Sequence, residues 1–254
     1  MTWVLLRGLT REARHWGGFA DQLAAHIGQD PVIALDLPGN GDFYQQPSPT
    51  SVSAMVLFAR HQLLTLGIKP PYSLLAMSLG AMVATSWAQR YPVEVVRLVL
   101  LNTSMRPLSS LTERLRPENW AKLGLLAAGW QDSDYAESSI HQLTCNLKSH
   151  QGEDLALWRQ IRKIAPVSRS NALRQLLAAA HFTCASSAPC CPVLVMSSSA
   201  DRLVNPVCST QLAVAWQATH HKHQWAGHDL PHDDGQWVCE QVRDWLEAQQ
   251  MLLN

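Results

Sequence analysis

The sequence predicts an α/β fold, a mostly parallel sheet of about six strands with flanking helices and an inserted helical cap. Three observations lead to this expectation. Over roughly the first hundred residues, short apolar runs alternate with segments of helical periodicity, an order that produces parallel βαβ units. The runs are continuous rather than alternating in polarity, as in strands that are covered on both faces. About ninety residues without a convincing strand then follow before the alternation resumes.

Six segments are expected to form the strands of this sheet. Most are short apolar runs, and all stand where the alternation of strand and helix requires a strand. They are residues 3–6, 32–35, 72–77, 95–101, 193–197 and 221–225.

Helices are expected between the first strands, because apolar residues recur there at intervals of three and four. The first is expected over residues 16–27 and the second over 52–66, each followed by a glycine suited to end a helix. The third should run over 79–91, where Pro92 stops it.

Two further helices are expected after the fifth strand. Asn205 and Pro206 suit the N-cap and the first position of one of them. Asp234 suits the cap of the last helix. One face of that helix is apolar and consists of Val238, Val242, Trp245 and Leu246.

The long segment without strands is expected to be an inserted helical cap. It is far longer than the dozen or so residues that a crossover between parallel strands needs, and prolines divide it into several helical stretches. We therefore expect residues 104–190 to form the cap, and residues 1–103 and 191–254 to form the core domain.

Composition narrows the classes of partner. The chain has 254 residues, with 20 Lys and Arg against 20 Asp and Glu, so no net charge is available to attract nucleic acid. Two uncharged stretches, 70–89 and 175–200, are long enough to cross a bilayer, but Pro, Gly and Ser interrupt both. We expect a small-molecule substrate, with no nucleic acid, no membrane and no obligate protein partner. The apolar run at 3–6 is too short for a signal peptide, so a cytoplasmic location is expected.

Neither a cofactor nor a metal is expected from the sequence. The six cysteines include no CxxC pair, so they indicate buried free thiols in a reducing compartment rather than a disulfide framework or a thiolate zinc site. His228 and His232 stand four residues apart, but Pro231 between them argues against a shared helical face.

The segment with the clearest chemical signal places Ser78 between a buried strand and a helix. Ala76 stands two residues before it and Gly80 two residues after it. A sharp strand-to-helix turn lifts such a serine above the sheet and needs small neighbours at these positions. The free N–H groups at the start of the helix face any negative charge that forms near the hydroxyl. Ser78 is therefore the candidate nucleophile.

A base and a carboxylate follow later strands. A serine hydroxyl needs both to become a good nucleophile. Asp201 follows the fifth strand and His228 the sixth, and the loops at the carboxyl ends of parallel strands meet at one edge of a sheet. The fourth strand offers no carboxylate at this edge, because it is followed by Asn102, Thr103 and Ser104.

These features together resemble the α/β-hydrolase superfamily, in its serine-nucleophile members with a helical cap. The order Ser78, Asp201, His228 is the order of the family's triad, and segments 5–9 and 36–41 also match the family pattern. The resemblance implies an oxyanion hole, formed by the backbone N–H groups of Leu9 and Leu79.

The chain departs from the family pattern at two of these positions. Ala76 stands where the family usually has glycine, and Arg7 precedes Gly8 where the family commonly has histidine. Arg7, together with Arg11, Arg14 and Arg106, is a candidate for holding an anionic substrate at the mouth of the site, although solvated surface arginines are commoner.

The residue at the turn differs between members of the family that catalyse different reactions. Related epoxide hydrolases and haloalkane dehalogenases carry aspartate there, whereas serine implies an acyl-enzyme. We expect a carboxylesterase that cleaves a small or medium carboxylic ester or thioester. Two alternatives stay open: a cofactor-free lyase or C–C bond hydrolase that uses the same triad, and a non-catalytic ligand-binding protein of this fold.

Overall fold

A six-stranded sheet, with every neighbouring pair of strands parallel, organises the molecule in a computed structural model that describes residues 1–28 and 30–251. The strand order is β2-β1-β3-β4-β5-β6. Position 29 and residues 252–254, which the predicted core segments include, lie outside the described residues. The strands are β1 (Thr2–Leu6), β2 (Val32–Leu35), β3 (Tyr72–Met77), β4 (Val95–Leu101), β5 (Val193–Ser198) and β6 (Thr219–His223).

The α/β fold predicted from the sequence is confirmed, and the first five strands match to within one residue at each end. The sixth was placed wrongly: the sequence predicts 221–225, and β6 is Thr219–His223. This strand pairs only with β5, so it is an edge strand, and its sequence is polar. An edge strand of this kind carries no continuous apolar run that would locate its ends.

The described residues contain ten helices. Those between the strands of the core follow the predicted positions, and several more fill the segment between β4 and β5. They are α1 (Phe19–His26), α2 (Val52–Thr65), α3 (Leu79–Arg90), α4 (Leu111–Arg114), α5 (Trp120–Ala128), α6 (Ser133–Thr144), α7 (Gln151–Ile164), α8 (Arg169–His181), α9 (Val207–Trp216) and α10 (Leu230–Met251).

The last two helices start slightly differently from the prediction. Helix α9 begins at Val207, and the backbone amide of Val207 donates a hydrogen bond of 3.0 Å to the side chain of Asn205. Helix α10 begins at Leu230 and is kinked at Asp234. The Asp234 carboxylate accepts from the amide of Trp237 at 3.0 Å, so it caps the part of α10 that follows the kink.

The two faces of the sheet carry separate apolar layers. Strand β1 shows the alternation: Val4 and Leu6 belong to the layer under α2, α3 and α9, whereas Trp3 and Leu5 belong to the layer under α1 and α10. Every strand near the centre is therefore buried on both sides, which explains the continuous apolar runs in the sequence.

Helices α4 to α8 follow β4, and α5 to α8 contribute residues to two smaller apolar clusters, one around Trp130 and one around Trp158. All five helices lie within residues 104–190, and the division of the chain into core and cap stays a prediction. None of the helices within residues 1–28 and 30–251 combines the length and the apolar character that a membrane span needs.

Candidate active site

Ser78 occupies the turn between β3 and α3, at the carboxyl edge of the central part of the sheet. Its φ of 53° and ψ of −116° lie in a region that residues with a side chain rarely adopt. The turn is this sharp because α3 packs against the end of β1. A Cβ on Gly80 would lie 2.4 Å from the carbonyl oxygen of Leu6 and 2.5 Å from that of Arg7, so only glycine fits there.

The small residues around Ser78 have different roles. Ala76 is fully buried in the apolar layer under α3, so its extra methyl, relative to the glycine usual in the family, is accommodated by packing. Gly8 allows the loop after β1 to approach the serine, since a Cβ there would lie 3.2 Å from Ser78 Cβ. The backbone of this loop therefore passes directly beside the candidate nucleophile.

The two predicted oxyanion donors belong to this loop and to α3. Leu79 is the first residue of α3, and Leu9 follows Gly8 in the loop. Neither amide donates to an acceptor elsewhere in the described chain. The next amide along, that of Thr10, donates to Gln175 Oε1 at 2.8 Å, which holds the loop to helix α8.

Asp201 and His228 are in direct contact. His228 Nδ1 lies 2.7 Å from Asp201 Oδ2, and both side chains are almost fully buried. The other carboxylate oxygen accepts from the amides of Leu203 and Val204 at 2.8 and 3.0 Å. The carboxylate is therefore held in place and orients the imidazole, with Nδ1 as the donor and Nε2 free to accept a proton.

The burial of His228 and the charges around it act on its pKa in opposite directions. Burial lowers the pKa because it disfavours the imidazolium, but the Asp201 carboxylate, by its charge and its hydrogen bond, raises it, and Asp229 adds to this. The net effect is a raised pKa.

Ser78 and His228 line the same cavity. Within the described chain no hydrogen bond joins the Ser78 hydroxyl to the imidazole, so the structure brings Asp201 and His228 together and places the serine beside them at the cavity wall. Such bonds often tighten only when substrate is bound.

An ion pair that the sequence analysis did not predict lies behind His228. Arg7 donates to both oxygens of Asp229, at 3.0 and 2.5 Å, and both side chains are about 2–3% exposed. The guanidinium also lies 4.7 Å from the ring centre of Trp16. Burial raises the pKa of Asp229, but Arg7 overcomes this effect and the net pKa is lowered. Two features of the sequence could have indicated this ion pair: the acidic residue directly after His228 and the unusual Arg7.

The other candidate arginines differ in their positions. Arg11 lines the cavity but is paired with Glu137 at 2.6 Å, and Glu137 also binds Arg162 at 3.0 Å. Arg14 pairs with Glu12 and Arg106 is exposed. Arg7 is therefore neutralised by a buried carboxylate, and Arg11 shares a buried carboxylate with Arg162, so neither is presented as an unpaired cation.

Asn102 has a structural role that the sequence analysis missed. Its amide nitrogen donates to the carbonyl oxygens of Gly227 and His228 at 3.1 and 2.7 Å, and its oxygen accepts from the Ser198 amide at 2.8 Å. A carboxamide after β4 thus fastens the loop that carries His228 to the sheet.

The cavity above the serine has a volume of about 220 Å³. Its polar lining residues are Ser78, His228, Asp229, Thr10, Thr144, Arg7, Arg11 and Arg169. The remainder of its wall is largely apolar and comes from the loop after β1, helices α5, α6 and α8, and the loop after β5, including Leu9, Leu123, Leu126, Trp130, Ile140, Leu143, Leu173, Leu176 and Leu203.

A family model described as "Alpha/beta hydrolase family" matches residues 3–241. The chain belongs to the alpha/beta hydrolase family. This match covers the whole sheet and the helices between β4 and β5, and it agrees with the parallel sheet and the serine turn described above.

The chain is similar to a curated protein, a pimeloyl-[acyl-carrier protein] methyl ester esterase of Neisseria meningitidis serogroup C. The two are 31% identical over 154 residues, which is 59% of this chain and 56% of the relative. The chain thus matches little more than half the length of this relative.

Solved structures show the same fold over nearly the entire chain. An esterase from Thermogutta terrifontis superposes with a TM-score of 0.77 at 22% identity and covers 98% of this chain and 90% of its own. An enol-lactonase from Burkholderia xenovorans gives a TM-score of 0.77 at 18% identity, covering 97% and 91%. At these identities the likeness establishes the alpha/beta hydrolase fold.

Proposed function

We propose that the protein is a serine hydrolase, a carboxylesterase that cleaves a small or medium carboxylic ester or thioester through an acyl-enzyme. The observation that carries this proposal is the buried Asp201–His228 hydrogen bond at the wall of the cavity that also holds Ser78. A strained serine, an oriented imidazole and a buried carboxylate at one site are what nucleophilic acyl transfer requires.

The first half of the proposed reaction forms the acyl-enzyme. His228 Nε2 takes the proton of the Ser78 hydroxyl as the oxygen attacks the ester carbonyl, and Asp201 stabilises the resulting imidazolium. The backbone N–H groups of Leu9 and Leu79 donate to the oxyanion. His228 then gives its proton to the leaving alcohol or thiol as the bond to the carbonyl carbon breaks.

The second half releases the acid. A water molecule gives a proton to His228 and adds to the acyl carbonyl, with the same two amides stabilising the oxyanion. Ser78 leaves with the proton from His228, which restores the free enzyme.

The cavity supports an apolar acyl group of limited size. Its wall is largely apolar, and about 220 Å³ lies below the roughly 300–1,000 Å³ of most ligand pockets. The similarity to an esterase that acts on a methyl ester also supports ester cleavage. A cytoplasmic location remains part of the proposal and is supported by six cysteines that are all free thiols.

The alternatives receive less support from the geometry. Free arginines in the cavity would favour a lyase or a C–C bond hydrolase acting on a charged carbonyl compound. Arg7 and Arg11 are instead paired with Asp229 and Glu137, and Arg169, the third arginine of the cavity wall, is exposed and donates to the carbonyl oxygen of Ala128. A non-catalytic binding protein would not need the strain at Ser78.

Labelling with a fluorophosphonate and a panel of p-nitrophenyl esters from acetate to dodecanoate tests the proposal. The wild-type protein should be labelled and should cleave the shorter esters. Ser78→Ala should abolish labelling and reduce turnover by about 10⁴-fold or more. A native protein that resists the probe and cleaves none of the esters would support the non-catalytic alternative, and labelling without ester cleavage would support the lyase.

A further inference from the structure

A second cluster of reactive side chains lies outside the candidate active site. His141, Cys145 and His232 each offer a ligand atom, and these atoms all lie within 4.8 Å of one another. His141 lies on α6 and Cys145 directly follows that helix. His232 comes from the first turn of α10. The cluster therefore joins a helix inserted between β4 and β5 to the last helix of the chain.

The imidazole of His141 has no hydrogen-bond partner in the described chain. The residue is fully buried, and neither ring nitrogen makes a hydrogen bond. A polar group that is buried without a hydrogen bond destabilises the fold. A buried histidine with no hydrogen bond and only a 3.5 Å contact to the Asp154 carboxylate, beside a thiol and a second histidine, points to a missing ligand.

A carboxylate outside this group of three lies beside its two imidazoles. Asp154 Oδ2, on α7, lies 3.1 Å from His232 Nε2 and 3.5 Å from His141 Nε2. Two imidazoles, one thiolate and one carboxylate are ligands that zinc takes in tetrahedral sites. Zinc bonds of about 2.0–2.3 Å bring such donors roughly 3.3–3.8 Å apart. The three grouped ligand atoms, up to 4.8 Å apart, therefore have to move closer, and the Asp154 carboxylate has to turn towards them.

The surroundings of the cluster suit a structural ion. The Trp158 ring packs against both histidines, with centroid distances of 5.3 Å to each, and shields the cluster on one side. On another side, Asp154 and His232 line a surface cleft of about 620 Å³. This cleft offers a path by which an ion can enter.

We propose that His141, Cys145, His232 and Asp154 bind a zinc(II) ion. On binding, the Cys145 thiol loses its proton to solvent and a sulfur–zinc bond forms, with no change in oxidation state. With Asp154 turned towards the other three donors, four protein ligands leave no open position, so the proposed role is structural: the ion ties α6 and α7 to the start of α10. The residue before Cys145, Thr144, accepts through its carbonyl from the Asp229 amide at 2.8 Å, so the site also supports the loop that follows His228.

Metal titration of the full chain tests this site. After treatment with a chelator, the protein should bind one equivalent of zinc and unfold at a higher temperature with zinc than without it. Cobalt(II) should bind with the absorption of a tetrahedral ion and a thiolate-to-cobalt charge-transfer band. Wild-type protein that takes up no zinc, or cobalt bound without the thiolate band, would overturn the proposal.

Substitution of the proposed ligands tests where the ion binds. Cys145→Ser should remove the charge-transfer band, and His232→Gln should weaken zinc binding by at least about 100-fold, since the loss of mere outer-shell groups weakens metal sites by 10–100-fold. The matched controls are Cys239→Ser, also buried, and His150→Gln, which is exposed, and both should bind as wild type does. If Cys145→Ser does not fold, His232→Gln decides: unchanged zinc affinity in that variant contradicts the site.

Discussion

At the residue scale, the Arg7–Asp229 pair has the largest predictable effect on stability. Both charges are buried, so removal of one partner leaves the other without compensation, which destabilises by about 3–5 kcal/mol. Arg7→Met and Asp229→Asn should each lower the free energy of unfolding by about this amount. The double variant has no unpaired charge and should lose clearly less than the sum, as measured by urea denaturation.

A surface pair provides the control for this cycle. Arg243 and Asp244 form an ion pair with both side chains about half exposed, where such pairs contribute little. Arg243→Met should leave the unfolding curve almost unchanged. Strict additivity of the Arg7 and Asp229 substitutions would show that the buried pair is not energetically coupled.

The pKa of His228 predicts the pH dependence of ester cleavage. The imidazole must be neutral to accept the proton of Ser78, and its pKa is raised above the usual 6.5. Activity should therefore fall as the pH decreases through a value above 6.5. Asp201→Asn removes the negative charge beside the buried imidazole, so the pKa of His228 should decrease. Turnover of this variant should fall by about 10⁴-fold.

Two measurements check this prediction. The profile of kcat/KM against pH reports the free enzyme, and NMR of the imidazole protons follows His228 directly in the slow Asp201→Asn variant. A wild-type acid limb below 6.5, or an imidazole pKa that rises in Asp201→Asn, would contradict it.

At the scale of elements, the position of α3 against β1 depends on one glycine. A Cβ at Gly80 would collide with two backbone carbonyl oxygens of β1 and the following loop, and backbone cannot rotate away as a side chain does. Gly80→Ala should shift α3, reduce stability and slow fluorophosphonate labelling of Ser78. Gly124→Ala on α5 is the control, because a Cβ there meets nothing within 4 Å. That variant should be as stable as wild type or up to about 1 kcal/mol more stable.

Helix α8 holds the loop that supplies one predicted oxyanion donor. Gln175 is fully buried; it accepts from the Thr10 amide and donates to Asn40 and Ser48 at 3.1 and 3.0 Å. Gln175→Ala should free the loop after β1 and lower kcat more than it changes KM. Arg174→Ala, on an exposed position of the same helix, should change neither, and an equal effect of both variants would exclude a specific role for Gln175.

An element could be predicted well where its own stretch of sequence carries the pattern that identifies it. Strands β1 and β3 to β5 are apolar runs buried by neighbours on both faces, and β2, at the other edge of the sheet, is an apolar run that is partly buried, so their sequence alone locates them. The edge strand β6 lacks this signal and was misplaced by two residues. The kink of α10 at Asp234 was recognised only as a cap, because the preceding turn is held by contacts with distant segments: the Asp233 carboxylate accepts from the Asn146 amide.

The candidate site also combines residues that the sequence could locate with contacts that it could not. The positions of Ser78, Asp201 and His228 follow strands, so topology could predict that they lie at one edge of the sheet. The partner of Arg7 lies 222 residues away, and the His141 cluster combines α6 with α10. No local pattern encodes these contacts, since they depend on how the inserted helices pack on the core.

At the scale of the whole molecule, the cavity lies between the edge of the sheet, where Ser78 and His228 are, and the helices between β4 and β5, which form most of the apolar wall. We therefore expect the reaction rate and the choice of substrate to depend on different parts of the molecule. Changes at the sheet edge should alter the rate for all substrates, whereas changes in the helical wall should alter which acyl groups fit.

Two neighbouring leucines on α8 test this separation. Leu176 lines the cavity and Leu177 does not, although their exposures are similar, 43% and 47%, so truncation should affect stability to a similar small extent. Leu176→Ala lengthens the apolar space and should shift the preferred ester towards longer acyl chains, by about 10–200-fold in relative kcat/KM, the range for small apolar groups in a pocket. Leu177→Ala should leave the preference unchanged. Because both variants keep Ser78 and His228, equal preference profiles in the p-nitrophenyl ester series would mean that the acyl chain does not occupy this cavity.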